Sequence, residues 1–345
     1  MKPELEKLCT EFITNLDIVK KAFKCDDSSV YSICANLFCA SGRTADANHL
    51  KECRKLISER TGFFSKFRGQ LRSVLSCMLA LGDNPEEQML LATEYYRLLK
   101  QHFKDTQYLA LTAFLLTESR EKSLVAEKII RGKDLYRRMN KEHPYLTDNT
   151  DSVFAVSLAF SEKTDDDLIE DMEACYKFLK TYFSSSGDVQ TAAQILAMAD
   201  SVPEEKSQRM IDLYNTLLEE GIKYGHSSEL APLSALSLAD IPTPTLVEEI
   251  KGVDEFLKTQ KGYASGEIKQ EQRAVHAVMI VSNQYTVTSQ MNSSVMATTL
   301  DKLIANRMAL YISLASQAIQ AAAQILAASL NERTENSDDG AGEAE

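Results

Sequence analysis

An all-α fold, an α-solenoid of stacked helical hairpins, is predicted by three features of the sequence. Tyr96, Tyr136, Tyr176 and Tyr214 recur 40, 40 and 38 residues apart. Each is followed three positions later by an apolar residue, Leu99, Met139, Leu179 and Leu217, and Val253 and Phe256 continue the register after another 39. Short, apolar, Ala-rich stretches alternate with longer amphipathic ones that open on helix-starting signals. A period near 40 that repeats an i, i+3 pair is what stacked hairpins require, because one hairpin cannot bury its apolar face alone. Such an array grows by adding neighbours, so 345 residues are expected to form one elongated domain.

The first unit, 1–70, reads as helices over 2–23, 30–40 and 45–60. Ser41-Gly42 suits a turn and Thr61-Gly62 a helix end. Residues 61–69, TGFFSKFRG, carry three phenylalanines without helical spacing and are expected to form a packed loop. Hairpins are expected over 71–285, each a short helix (71–81, 109–117, 152–160, 189–199, 230–239) followed by a longer one. Asn84-Pro85-Glu86-Glu87, Val202-Pro203-Glu204-Glu205 and Thr243-Pro244 put Pro near the first helical position, and Thr164 ahead of Asp165, Asp166 and Asp167 supplies a cap. Acids in a first turn are favoured by the helix dipole by about 0.3–1 kcal/mol each, so their recurrence reads as helix starts and not as acid/base chemistry.

Residues 286–330 are expected to hold C-terminal helices, the last over 308–330, which contains no Asp, Glu, Lys or Arg. Ser313, Gln317, Gln320, Gln324 and Asn331 fall on one helical stripe, so the segment is amphipathic with a broad apolar arc. It suits a buried capping helix or a homo-oligomer contact; an interfacial or a spanning membrane helix is the other reading, and the lack of Lys and Arg on its polar face counts against membrane attachment. Residues 331–345, with six acids and one Arg, read as a disordered acidic tail.

A net charge of −12 disfavours nucleic acid, whose affinity rests on Lys and Arg contacts to phosphate. Seven cysteines, six within the first 77 residues, and no apolar signal-like run at the start point to reduced thiols in a cytoplasmic protein. No C-x-x-C pair is present, and Cys34 and Cys39 would diverge by about 140° on a helix, so no metal site is expected. Phosphate-loop, dinucleotide, nucleophile-elbow and H-E-x-x-H patterns are all missing, and no cofactor is expected.

Candidate binding residues are Arg68, Tyr96, His102, His143 and Tyr182. His102 and His143 stand 41 apart in matching places after long helices, where later units carry Tyr182-Phe183, Tyr224 and Tyr263. A row of rings on loops held by a rigid scaffold is one candidate edge; rings closing over the hairpin ends are the other reading. Arg68 lies in 51–72, which has seven basic residues against Glu52 and Glu59 and suits either an anionic ligand or pairing with the chain's own carboxylates. His49, His226 and His276 read as ordinary histidines.

Phe23-Lys24-Cys25-Asp26, the 61–69 stretch, Leu79-Ala80-Leu81-Gly82-Asp83-Asn84-Pro85-Glu86-Glu87, the 187–200 run and 256–262, in that order, resemble the bacterial domain of unknown function 4003 family of Gram-positive Firmicutes. The resemblance covers about 10–330, and Cys25 stands where the family pattern carries Trp. It implies a cytosolic bacterial protein and brings no activity, cofactor or catalytic residue with it. The function expected first is a non-catalytic scaffold binding a protein or peptide. An enzyme or small-ligand binder with a site near the first hairpins (Arg68, Tyr96, His102) and a peripheral membrane protein attached through 308–330 are the alternatives.

Overall fold

The computed structural model describes residues 1–24, 30–69, 71–117, 119, 122–226, 229–264 and 268–291, with side chains as far as 285. The expected C-terminal helix and acidic tail, and Cys25, lie outside the described residues. Fourteen α-helices and no strand are found among the described residues: α1 (Pro3–Ala22), α2 (Tyr31–Ala40), α3 (Ala47–Arg60), α4 (Arg72–Leu81), α5 (Pro85–Leu99), α6 (Gln107–Thr117), α7 (Val125–Glu142), α8 (Asp151–Leu158), α9 (Asp165–Lys180), α10 (Ser186–Leu196), α11 (Pro203–Glu219), α12 (Leu230–Ser237), α13 (Thr243–Lys258) and α14 (Gln270–Met291). The all-helical expectation is met, and the starts fall where the sequence marks them. Asn84 Oδ1 accepts from the Glu87 amide, Thr164 Oγ1 accepts from the Asp167 amide, and Pro85, Pro203 and Pro244 occupy the first two helical positions of α5, α11 and α13.

Odd- and even-numbered helices form two layers. Even helices from α2 to α12 are short and buried nearly all round, α14 alone being long: every residue of α8 is buried, as are Tyr31 through Cys39 in α2. Odd helices bury one stripe, such as Met89, Ala92, Tyr95 and Leu99 in α5, and turn their charged side to solvent. Each odd helix packs along the even helix that follows it, from α1 on α2 to α13 on α14. The sequence expectation pairs each short helix with the long one after it; the packing favours the opposite frame, because the long helix's apolar stripe lies on the short helix that follows. In the α7–α8 pairing a Cβ on Gly132 of α7 would stand 2.8 Å from the Val156 Cα of α8, so only glycine fits without a shift.

Neighbouring odd helices touch in series, α1 on α3 through α11 on α13, and even helices do likewise apart from α8 and α10. The α8–α10 step is made by Gln194 Nε2 of α10, which donates to Asp151 Oδ1 of α8 at 2.7 Å. The series then closes: α13 packs on α1, and α14 packs on α1 and α2. An open, elongated array is the sequence expectation; here its two ends meet. The closing seam sets buried polar contacts within the apolar core. Asn283 Nδ2 donates to Asn36 Oδ1 at 2.8 Å, Lys2 pairs with Glu249 at 2.7 Å, and the Tyr263 hydroxyl bonds His276 Nδ1 at 2.7 Å beside Phe12. Helices α1 to α3 take part in the same alternation as the rest.

Candidate functional site

Because even helices all run the same way, their N-termini gather at one end of the ring and their C-termini at the other. The amino end holds the loops that follow odd helices, and with them every candidate residue named from the sequence. Each periodic tyrosine meets a ring from the preceding hairpin: Phe67 on Tyr96 at 4.8 Å, Phe103 on Tyr136 at 5.7 Å, His143 on Tyr176 at 4.4 Å and Phe183 on Tyr214 at 5.1 Å between centroids. These contacts fill the seams between successive long helices. The place matching His143 is taken by Phe103, with His102 half-buried beside it. Tyr182 is half exposed next to buried Phe183, and its hydroxyl bonds Asn215. Tyr96 bonds Asp105 through its hydroxyl. Arg68 turns inward, donating to the carbonyls of Ser58 and Thr61 and, at 3.3 Å, to Thr61 Oγ1. Arg68 and Tyr96 flank the same loop; His143 and Tyr182 lie in seams farther round the ring.

His143 Nε2 lies 2.7 Å from Glu173 Oε1, on the wall of a cavity of about 20 Å³ that Tyr176, Gln190 and Gln194 also line. Behind it Asp151 accepts from Gln190, Gln194 and the Asp148 amide. Burial pushes the Asp151 carboxyl up to about 6, against the pull of those hydrogen bonds. Such a volume admits one water molecule.

The carboxyl end has different chemistry. Carbonyls in the last turn of a helix have no intrahelical partner, and here cations from neighbouring elements supply donors. Arg43 reaches the Leu81 carbonyl at 2.5 Å; Arg131 reaches those of Ala159 and Ser161 at 3.0 and 2.7 Å; Lys163 and Lys206 reach Ala199 at 2.5 and 3.0 Å; Arg209 reaches Ala239 and Ile241. Asp171 joins the two lysines, at 2.7 Å from Lys163 and 2.6 Å from Lys206. Burial lowers the pKa of Lys206, and the Asp171 bond opposes that shift. Sequence reasoning missed these cations. The signal was present, since Lys206 stands on the buried stripe of α11 with Met210, Leu213 and Leu217.

Beside these caps lies an open groove of about 1120 Å³ between the C-termini of α10 and α12 and the N-termini of α11 and α13. Phe178, Met198 and Leu238 give it an apolar floor, and Asp200, Glu204, Glu205, Asp212 and Asp240 line it with carboxylates. Its two cations, Lys206 and Arg209, are turned to the carbonyls, so the free surface is negative. Among the described residues no group of three or more His, Cys, Asp or Glu could hold a metal ion, and Cys9, Cys34, Cys39, Cys53, Cys77 and Cys175 are buried free thiols. No helix of the described residues is long and apolar enough to cross a membrane.

Fold and surface thus define a class: an all-helical ring with an acidic groove at one end. The chain belongs to the family described as protein of unknown function (DUF4003), which matches residues 15–309. It is also similar to the uncharacterized protein YeaA of Bacillus subtilis (strain 168), 23% identical over 250 residues that make up 70% of this chain and 76% of the relative. No solved structure matches.

Proposed function

We propose that this protein is a non-catalytic, cytoplasmic scaffold built of repeated helical hairpins, and that it holds a basic peptide segment of a protein partner in the carboxyl-end groove. The groove carries the reading: about 1120 Å³ of open space joins an apolar floor to carboxylates whose neighbouring cations are engaged elsewhere. An extended segment with Lys or Arg beside apolar residues suits that surface, with charge setting encounter rate and specificity. The recurring ring-on-tyrosine seams support the repeat reading. A small-ligand site at His143 and Asp151 is less well supported, since about 20 Å³ is far below the roughly 300–1,000 Å³ of ordinary ligand pockets.

Affinity capture with the wild-type chain and with a Glu204→Lys, Glu205→Lys, Asp240→Lys variant tests this. A protein retained by the first and lost from the second is expected, with circular dichroism unchanged. Identical captures from both baits would overturn the groove assignment.

A further inference from the structure

Phe63 and Phe64 stand at the tip of the loop after α3, 79% and 92% exposed, their rings edge to face at 5.2 Å. The sequence predicts a packed loop here; only the third phenylalanine, Phe67, is buried, against Tyr96 and Phe114. The tip is held from beneath. The Ser65 amide donates to the Gly62 carbonyl at 3.0 Å, Ser65 Oγ accepts from the Phe67 amide, and Arg68 ties the base of the loop to the end of α3. Two adjacent phenylalanines are therefore displayed in water on a fixed support, packed on each other and left out of the core.

One exposed cation adjoins the tip in an otherwise acidic chain. Lys66 follows the tip and is exposed, as is Lys104 beyond α5. Lys100 pairs with Asp105 at 2.8 Å, and Lys66 is within electrostatic reach of the same carboxylate. Arg60, at the end of α3, pairs with Glu86 at 2.5 Å. Most other cations of the 51–72 stretch are spent internally: Arg54, Arg68 and Arg72 bond protein oxygens, and Lys55 pairs with Glu59 at 3.1 Å.

Size decides which partner this suits. Two phenylalanine side chains offer roughly 150–250 Å² each, well short of the about 1,200–2,000 Å² that a stable protein interface buries. A protruding aromatic pair with exposed Lys66 beside it fits a bilayer surface, where rings enter the headgroup boundary and a cation meets anionic lipid. We propose that the Phe63–Phe64 tip inserts reversibly into membranes containing anionic phospholipid, as an anchoring point separate from the carboxyl-end groove.

Co-sedimentation of the full chain with phosphatidylglycerol/phosphatidylcholine vesicles, and with phosphatidylcholine alone, tests it. Binding to the anionic vesicles that falls with salt is expected, with about tenfold loss in Phe63→Ala/Phe64→Ala and about fivefold loss in Lys66→Gln. Val202→Ala, an exposed apolar change at the other end, should leave binding unchanged. Absence of binding at low salt, equal binding to both vesicle types, or full binding by the double alanine variant would each overturn the proposal; the last would place membrane contact elsewhere in the chain. The double variant should keep the wild-type circular dichroism, so a loss of binding reports on the tip and not on the fold.

Discussion

The two ends of the ring are made by the same fourteen helices and yet have little chemistry in common. At the amino end, long odd helices finish in loops whose rings drop into the seams, and apolar contact does the sealing. At the carboxyl end, even-numbered helices present their last carbonyls together, and lysines and arginines are drawn in to meet them. Helix polarity explains the difference: the orphan groups and partial charges at the two termini have opposite sign. Drawing cations inward at the carboxyl end leaves the first-turn acids of α11, Glu204 and Glu205, facing outward. An acidic groove is thereby a by-product of capping, available for a partner to use.

The comparison breaks first at Lys206. If the carboxyl end depends on buried cations, Lys206→Met should cost about 3 kcal/mol in urea unfolding, because the α10 carbonyls and Asp171 keep only part of their partners. A loss under about 1 kcal/mol would mean that Lys163 alone suffices.

The amino end should instead answer to acid. Burial holds His276 down at about 4 while the unfolded histidine titrates near 6.5, so its contribution is fully present above about pH 6.5 and is lost as pH falls toward 4. Asp151 acts oppositely: its folded value of about 6 lies above the unfolded carboxyl, so the penalty of a buried charge, present above pH 6, is relieved on acidification toward 4. Each amounts to about 3 kcal/mol or less, and the two nearly cancel in the wild type. His276→Leu should gain stability relative to wild type as pH falls from 6.5 to 4, and Asp151→Asn should lose it. Parallel pH profiles for the two variants would show that neither group carries the assigned shift.

Gly132→Ala, in the wall between the ends, gives the smallest of the three effects. Overpacking against Val156 should cost about 1–3 kcal/mol in one transition shared by both ends. Separate transitions would mean that the ring unfolds in sectors, as repeat arrays do when their coupling is weak.

Helices were legible because their signals are local. Asn84, Thr164, Pro85 and Pro203 mark starts within a few residues, and the tyrosine rhythm placed the apolar faces. Candidate residues were legible as a row and not as roles: His143, Tyr96 and Tyr182 do share an edge, but their partners Glu173, Asp105 and Asn215 come from neighbouring segments whose approach no spacing announces. Arg68 gave no sign that it faces its own loop, and Lys206 on an apolar stripe gave no sign of which carbonyls it meets.

By itself, then, the sequence determined the family, the helical content and the order of short buried and long amphipathic helices, since each follows from periodicity and caps read within a few turns. Tertiary structure alone decided that the array closes, that Asn36 meets Asn283 and Lys2 meets Glu249, and that one end becomes an acidic groove. The physical reason is that closure rests on packing between helices far apart in the chain, α13 and α14 on α1 and α2, and an open and a closed arrangement share the same local pattern of apolar and polar residues.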